Sequence, residues 1–132
     1  MNRYSRLFLA SLALGLSTAR AEVVVIANAP GLVGVADVRE VFLGDKQFGN
    51  GNVRLVPLEN AAVQAEFLAK VVKMDAAKYH AAWTKKAFRD GVNPPATRPT
   101  DADVVEMVKR TPGAIGYVGA PPPGVAVVAR IP

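Results

Sequence analysis

The sequence predicts an α/β domain, a three-layer sandwich with a mostly parallel sheet. Apolar, β-branched runs typical of buried strands recur along the chain. Segments with helical periodicity lie between the earlier apolar runs along the chain. Strands that are connected through helices usually pair in parallel. The third observation is a helix–strand joint, where Pro112 and Gly113 stop a helix directly before the apolar run Ala114–Val118.

The first half of the chain predicts two strands with a short helix between them. Val23–Ala27 is a continuous apolar run, typical of a strand buried on both faces. A short amphipathic helix follows, capped by Gly44, because apolar residues recur there at i, i+3 and i+7 in Val35, Val38 and Phe42. Val53–Leu58 is the second predicted strand, and Pro57 places its end or a sheet edge there.

The second half predicts three helices and two strands. Asn60, Asp75 and Thr100 are each suited to cap the N-terminus of a helix. The last helix continues to Arg110, with acidic residues in its first turn and basic residues in its last, which suits the helix dipole. Strands Ala114–Val118 and Val125–Ile131 then complete the order β-α-β-α-α-α-β-β.

The N-terminus predicts a cleavable signal for export to the periplasm. Arg3 and Arg6 form a positive segment, Leu7–Leu16 is apolar, and Ala19-Arg20-Ala21 is a small-residue cleavage site. The apolar run is shorter than the roughly 20 residues that span a bilayer. We therefore predict a signal peptide over 1–21 and a single periplasmic domain over 22–132.

Composition excludes several classes of partner. The formal charge is +5, but Arg3, Arg6 and Arg20 lie in the predicted signal, which leaves +2 for residues 22–132. No basic run or aromatic–basic stripe indicates nucleic acid binding. No second long apolar segment predicts a membrane span after signal removal. The chain has no cysteine, so neither disulfides nor a lipidated cysteine anchor are available to it.

The residues needed for common catalytic mechanisms are missing. Every serine lies in the predicted signal, the chain has no cysteine, and His80 is its single histidine. Nucleophilic catalysis by serine or cysteine is therefore excluded. His80 has no second histidine or carboxylate at metal-binding spacing, and no phosphate-loop or dinucleotide motif occurs. We expect no enzyme activity, no metal and no cofactor.

One position predicts anion binding. The second strand leads into a helix predicted to start at Asn60, and ligands in open α/β sheets bind beyond the carboxyl ends of strands. The N–H groups of Ala61, Ala62 and Val63 suit an anion at such a helix start. Arg89 and Arg98 flank the proline-rich loop and add positive charge. The alternative is that Asn60 and water simply cap this helix, and the neighbouring Glu59 would repel an anion.

Taken together, several segments resemble the periplasmic substrate-binding proteins of phosphate ABC transporters, and more closely the short, single-lobe members of that superfamily. They follow one another in the family's order over nearly all of residues 22–132. The segments are Val23–Asn28, Val38–Gly44, Arg54–Leu58 with Phe67, Tyr79 with Trp83, Phe88 with Gly91, Pro94-Pro95 and Thr111–Val118.

This resemblance implies one lobe of a type II periplasmic binding protein. Family members hold phosphate with backbone N–H groups and hydroxyls of a Ser-Gly-Thr-type loop, and the matching position here reads Glu59-Asn60-Ala61-Ala62. Weak binding of phosphate or another small anion, with an ABC transporter as partner, is the first hypothesis. The alternative is a periplasmic protein-interaction or adaptor module that has lost solute binding. The candidate ligand-binding residues are Asn28, Asn60, Ala61, Ala62, Arg89 and Arg98.

Overall fold

The computed structural model describes residues 22–132, and the predicted signal peptide over 1–21 lies outside the described residues. Described residues form an α/β domain in which helices pack on a five-stranded sheet. The elements are β1 (Val23–Ala27), α1 (Val38–Phe42), β2 (Val56–Asn60), α2 (Gln64–Phe67), α3 (Ala76–Asp90), β3 (Ala96–Arg98), α4 (Asp101–Arg110), β4 (Ala114–Val118) and β5 (Ala126–Ile131). Short 3-10 turns occupy Val35–Asp37 and Asn50–Asn52, and a π-helical turn at Leu68–Val72 extends α2.

The sheet is mixed, with strand order β3-β2-β4-β1-β5. β2 pairs in parallel with β3 and β4, whereas β1 pairs antiparallel with β4 and β5. The prediction of a mostly parallel sheet is therefore wrong for the half that contains β1. A continuous apolar run such as Val23–Ala27 indicates that both faces of a strand are buried, but it carries no information about direction.

Two boundaries also differ from the prediction. β2 starts at Val56 rather than Val53 and continues through Glu59 and Asn60, two polar residues that are buried. β3 was not predicted, because its three residues are largely exposed and show no apolar pattern. It forms because its backbone pairs with Leu58–Asn60 of β2.

Asp75 and Thr100 cap α3 and α4 as predicted, each accepting a hydrogen bond from a backbone N–H group.

Helices cover both faces of the sheet, which agrees with the layered arrangement predicted. On one face, Phe42, Phe67 and Tyr117 join α1, α2 and β4 in one aromatic cluster. On the other face, Val104 and Val108 of α4 pack on β1, β2 and β4. Successive residues of β1 alternate between these two clusters, which confirms that this strand is buried on both sides.

The Thr111–Val118 segment needs both of its glycines for packing. Gly113 has a φ of 80°, and a Cβ there would lie 2.1 Å from the Arg54 carbonyl oxygen. Gly116 lies in β4 beneath α4, where a Cβ would approach Val104 Cγ1 to 2.6 Å. The turn and the close helix–sheet contact therefore both depend on the missing side chain.

We expect Gly116→Ala to destabilise the fold by about 1–3 kcal/mol, because the added methyl overpacks the α4–β4 contact. Urea unfolding of residues 22–132 followed by fluorescence measures this free energy. Gly34→Ala is the matched control, since Gly34 has a φ of −82° and a Cβ there meets only Asp37 Oδ2, at 3.4 Å. Equal stability of the two variants would contradict the packing argument.

Candidate functional site

The candidate site lies where the parallel strands end. β2, β3 and β4 run in the same direction, so their carboxyl ends meet at one edge of the domain. The first residues of α2 and α4 follow closely after β2 and β3. Four polar side chains collect at this edge, and they are Glu59, Asn60, Arg98 and Asp101. This is the edge at which α/β sheets commonly bind ligands.

Asn60 is fully buried and holds three elements together. Its side-chain amide donates to Asp101 Oδ1 at 2.7 Å and to the Tyr117 carbonyl oxygen at 3.1 Å. Its side-chain oxygen accepts the Ala62 N–H at 3.0 Å. Asn60 does not cap the helix as predicted, because the chain makes a turn after β2 and α2 begins only at Gln64. Its role in the fold is to satisfy buried polar groups.

The Asp101 carboxylate lies in a set of three converging donors. Besides the Asn60 amide at Oδ1, its Oδ2 accepts the backbone N–H groups of Gly119 and Ala120, both at 3.1 Å. Two consecutive backbone amides and a side-chain amide around one carboxylate form an arrangement suited to an oxyanion. In this chain the oxyanion held by these donors is the carboxylate of Asp101, the first residue of α4.

The predicted anion-binding amides already have acceptors within the chain. The Ala61 N–H donates to the Arg98 carbonyl at 2.9 Å, and the Val63 N–H donates to the Asn60 carbonyl at 3.2 Å. The Ala62 N–H is the one accepted by the Asn60 side chain. These bonds keep the β2–α2 turn closed, so an anion has to compete with them for the same donors.

The structure brings Asn60, Ala61, Ala62 and Arg98 together but separates Asn28 and Arg89 from them. The Asn28 amide donates to the Val108 and Lys109 carbonyls at 2.9 and 3.2 Å, where it caps the C-terminal end of α4. Arg89 pairs with Asp90 at the exposed end of α3. Arg98 pairs with Asn60 in the β2–β3 register, and its buried Nε has no hydrogen-bond partner among residues 22–132.

Glu59 is the residue whose importance the sequence did not indicate. It is only 3% exposed and points to the face opposite Asn60, as successive residues of a strand do. Its carboxyl contacts the Tyr79 hydroxyl and the Gln64 side-chain amide. Burial raises the pKa of the Glu59 carboxyl, and the hydrogen bonds from Tyr79 and Gln64 oppose that change. The sequence carries no signal for the burial of Glu59, because a glutamate that ends a strand is usually solvated.

The Tyr79 hydroxyl connects Glu59 to the helix layer. Its oxygen lies 3.0 Å from the Phe42 carbonyl oxygen, and the Glu59 carboxyl contacts it as well. A phenol has one proton, so the Tyr79 hydroxyl donates to only one of these two acceptors, the Glu59 carboxyl or the Phe42 carbonyl, at a time. Burial and the neighbouring Glu59 raise the pKa of Tyr79, which keeps it a neutral phenol.

Comparison with known proteins gives no match to a family model and no match to a curated protein. Within residues 22–132 there is no group of three histidine, cysteine or acidic side chains that could hold a metal ion. No helix in that range is long and apolar enough to cross a membrane.

We expect wild-type stability to fall, relative to Glu59→Gln, as the pH rises above 4.5, the ordinary pKa of this carboxyl. The unfolded chain loses the Glu59 proton near that pH, whereas the folded chain keeps it until its raised pKa is passed. The contribution of protonated Glu59 to the free energy of unfolding is thus complete below pH 4.5. It is lost as the pH rises through the pKa of Glu59 in the folded state.

The measurement is the free energy of unfolding in urea for both proteins between pH 4 and 8, with the wild type expected to lose stability relative to Glu59→Gln across this range. Taking the difference between the two proteins cancels the contributions of other titrating groups. A difference that stays constant across this range, or grows in favour of the wild type, would show that Glu59 is not held protonated.

Proposed function

We propose that this chain is an exported, non-catalytic binding protein, equivalent to one lobe of a phosphate-type periplasmic substrate-binding protein. Its ligand is a small oxyanion such as phosphate, bound weakly at the carboxyl ends of β2, β3 and β4. The protein works in the periplasm after signal cleavage, with an ABC transporter as the fitting partner. The donor set around Asp101 is the single observation that carries the proposal.

The donor set supports an oxyanion because its geometry is already complete. The Asn60 amide and the Gly119 and Ala120 N–H groups hold two carboxylate oxygens at 2.7–3.1 Å. A phosphate oxygen pair has a spacing similar to that of a carboxylate pair and accepts the same donors. Arg98 is adjacent to Asn60 in the sheet register and adds positive charge to this edge, while its Nη2 contacts Met107 Sδ of α4 at 3.8 Å.

Competition from Asp101 makes the binding weak. A free anion enters this donor set only if the Asp101 carboxylate leaves it, and hydrogen bonds to charged groups contribute about 1.5–3 kcal/mol. The negative charge of the Asp101 carboxylate also repels a free anion. A single lobe further leaves one side of the ligand in water, whereas tight sites bury most of it. We therefore expect a dissociation constant in the millimolar range, about −4 kcal/mol.

We expect Asp101→Ala to bind phosphate about tenfold more tightly than the wild type, because the substitution frees three donors. Titration of residues 22–132 with phosphate, followed by amide NMR shifts, measures the affinity and locates the site at Gly119 and Ala120. Asp103→Ala is the matched control, since it removes the same charge from the same helical turn and its side chain bonds Thr100.

Two results would contradict the proposal. One is equal phosphate affinity for the Asp101 and Asp103 variants, which would mean that net charge alone controls binding. The other is the lack of any shift at Gly119 and Ala120 in a folded Asp101→Ala protein at high phosphate concentration. Sulfate and nitrate titrations then define which oxyanion geometries the donors accept.

A second candidate function is the adaptor module, and the exposure of Phe88 favours it. Phe88 is 95% exposed on α3, and the exposed Ala77, Ala81 and Thr84 precede it at helical spacing on the same face. Lys78 and Lys85 border this face, so an acidic amphipathic helix is the complementary partner. The surface lies on α3 rather than at the strand ends where a second lobe would pack.

We expect Phe88→Ala to abolish capture of a specific acidic protein from a periplasmic extract by the tagged domain. The substitution removes the Phe88 ring that would anchor the partner, and aromatic side chains at the centre of an interface contribute strongly to the binding free energy. Val35→Ala is the control, because Val35 is also exposed, at 64%, and lies outside α3. The adaptor function is contradicted if the wild type, Phe88→Ala and Val35→Ala retain the same proteins.

A further inference from the structure

We propose that a cleft at the opposite end of β2 binds a small organic anion with an apolar body. This cleft has a volume of about 480 Å³ and lies beside the first residues of β2. Its walls are the α1–β2 connection on one side and the proline-rich loop between α3 and β3 on the other. It is separate from the donor set around Asp101, so the inference does not depend on phosphate binding there.

The cleft exists because β3 covers only part of β2. β3 pairs with Leu58–Asn60, which leaves the β2 edge at Val56 and Pro57 without a neighbouring strand on that side. The loop that leads into β3 lines the same cleft as this uncovered edge, through Pro94 and Pro95. Both loop prolines and Pro57 lack an N–H group, so none of these three residues can close the gap by donating a backbone hydrogen bond.

The charged groups of the cleft favour an anion. Lys46 and Arg54 line it, and neither has a carboxylate partner among residues 22–132. Arg54 is instead close to the Phe48 ring, with its guanidinium carbon 5.9 Å from the ring centroid. Asp90 also lines the cleft, but Arg89 pairs with its carboxylate at 3.0 Å. The cleft is therefore lined by two cations without a carboxylate partner in this range and by one acid, which is paired with Arg89.

The remaining wall selects an apolar body for the ligand. The indole of Trp83 forms part of the wall, fixed by donation of its N–H to the Phe42 carbonyl at 3.0 Å. Gly44 passes so close that a Cβ there would lie 2.7 Å from the indole. The cleft volume falls in the range of about 300–1,000 Å³ typical of small-molecule sites. The lining combines apolar side chains with two cations, which fits a compact organic carboxylate or phosphate ester.

Trp83 makes the test direct, because it is the only tryptophan of the chain. We expect phenyl phosphate to change the Trp83 fluorescence of residues 22–132 in a saturable manner at millimolar concentrations. Inorganic phosphate lacks the apolar body and phenol lacks the charge, so each should bind at least about fivefold more weakly. Equal affinity for phenol and phenyl phosphate would overturn the charge argument.

Matched variants locate the binding. Arg54→Gln and Lys46→Gln should each weaken phenyl phosphate binding about fivefold. Lys109→Gln, which removes the same charge from the exposed side of α4, should leave it unchanged. If all three variants bind phenyl phosphate as the wild type does, the cleft is not the site.

NMR separates this proposal from phosphate binding at the strand ends. Cleft binding shifts the Trp83 indole N–H signal, whereas binding at the donor set shifts the Gly119 and Ala120 amides. A phenyl phosphate titration that shifts only Gly119 and Ala120 would overturn the cleft and leave the oxyanion proposal standing. A titration that shifts only the indole would support the cleft independently of that proposal.

Discussion

Two consecutive buried polar residues at the end of β2 hold the helix layers to the sheet. Glu59 points to one face, where its carboxyl contacts Tyr79 of α3 and Gln64 of α2. Asn60 points to the other face, where its amide bonds Asp101 of α4 and the Tyr117 carbonyl of β4. Buried polar groups are costly unless they are paired, so each one fixes the position of the elements that satisfy it. The candidate site is a consequence of this arrangement.

The same bonds determine what the strand-end edge can bind. An open α/β sheet leaves donors at the ends of its strands, and related folds use such donors for ligands. Here Asp101 occupies the donors from inside the chain, and Asn60 occupies the Ala62 N–H. A small oxyanion would therefore have to compete with an internal carboxylate. The surfaces that we propose for other ligands are ones that the fold leaves uncovered, namely the cleft beside Val56 and the α3 face with Phe88.

Sequence patterns predicted the parts of the fold that follow from burial and capping. Val23–Ala27, Ala114–Val118 and the caps Asp75 and Thr100 were all placed correctly, because apolar periodicity and N-cap chemistry are local properties. Strand direction, the short β3 and the end of β2 depend on pairing between distant segments. Local patterns predict Asn60 as a helix cap, but its partners, Asp101 and Tyr117, lie 41 and 57 residues away. The partners of Asn28 are also distant, whereas Arg89 pairs with the next residue, Asp90, at the exposed end of α3.

We infer that the Asp101 carboxylate fills a site built for an oxyanion, and a crystal structure of the Asp101→Ala domain grown in phosphate would test this inference. We expect a phosphate whose oxygens lie within hydrogen-bond distance of the Asn60 side-chain amide and the Gly119 and Ala120 N–H groups. Water alone on those donors, or a loop rearranged so that the three no longer converge, would contradict it. In that case the bonds around Asp101 serve only to attach α4 to the sheet.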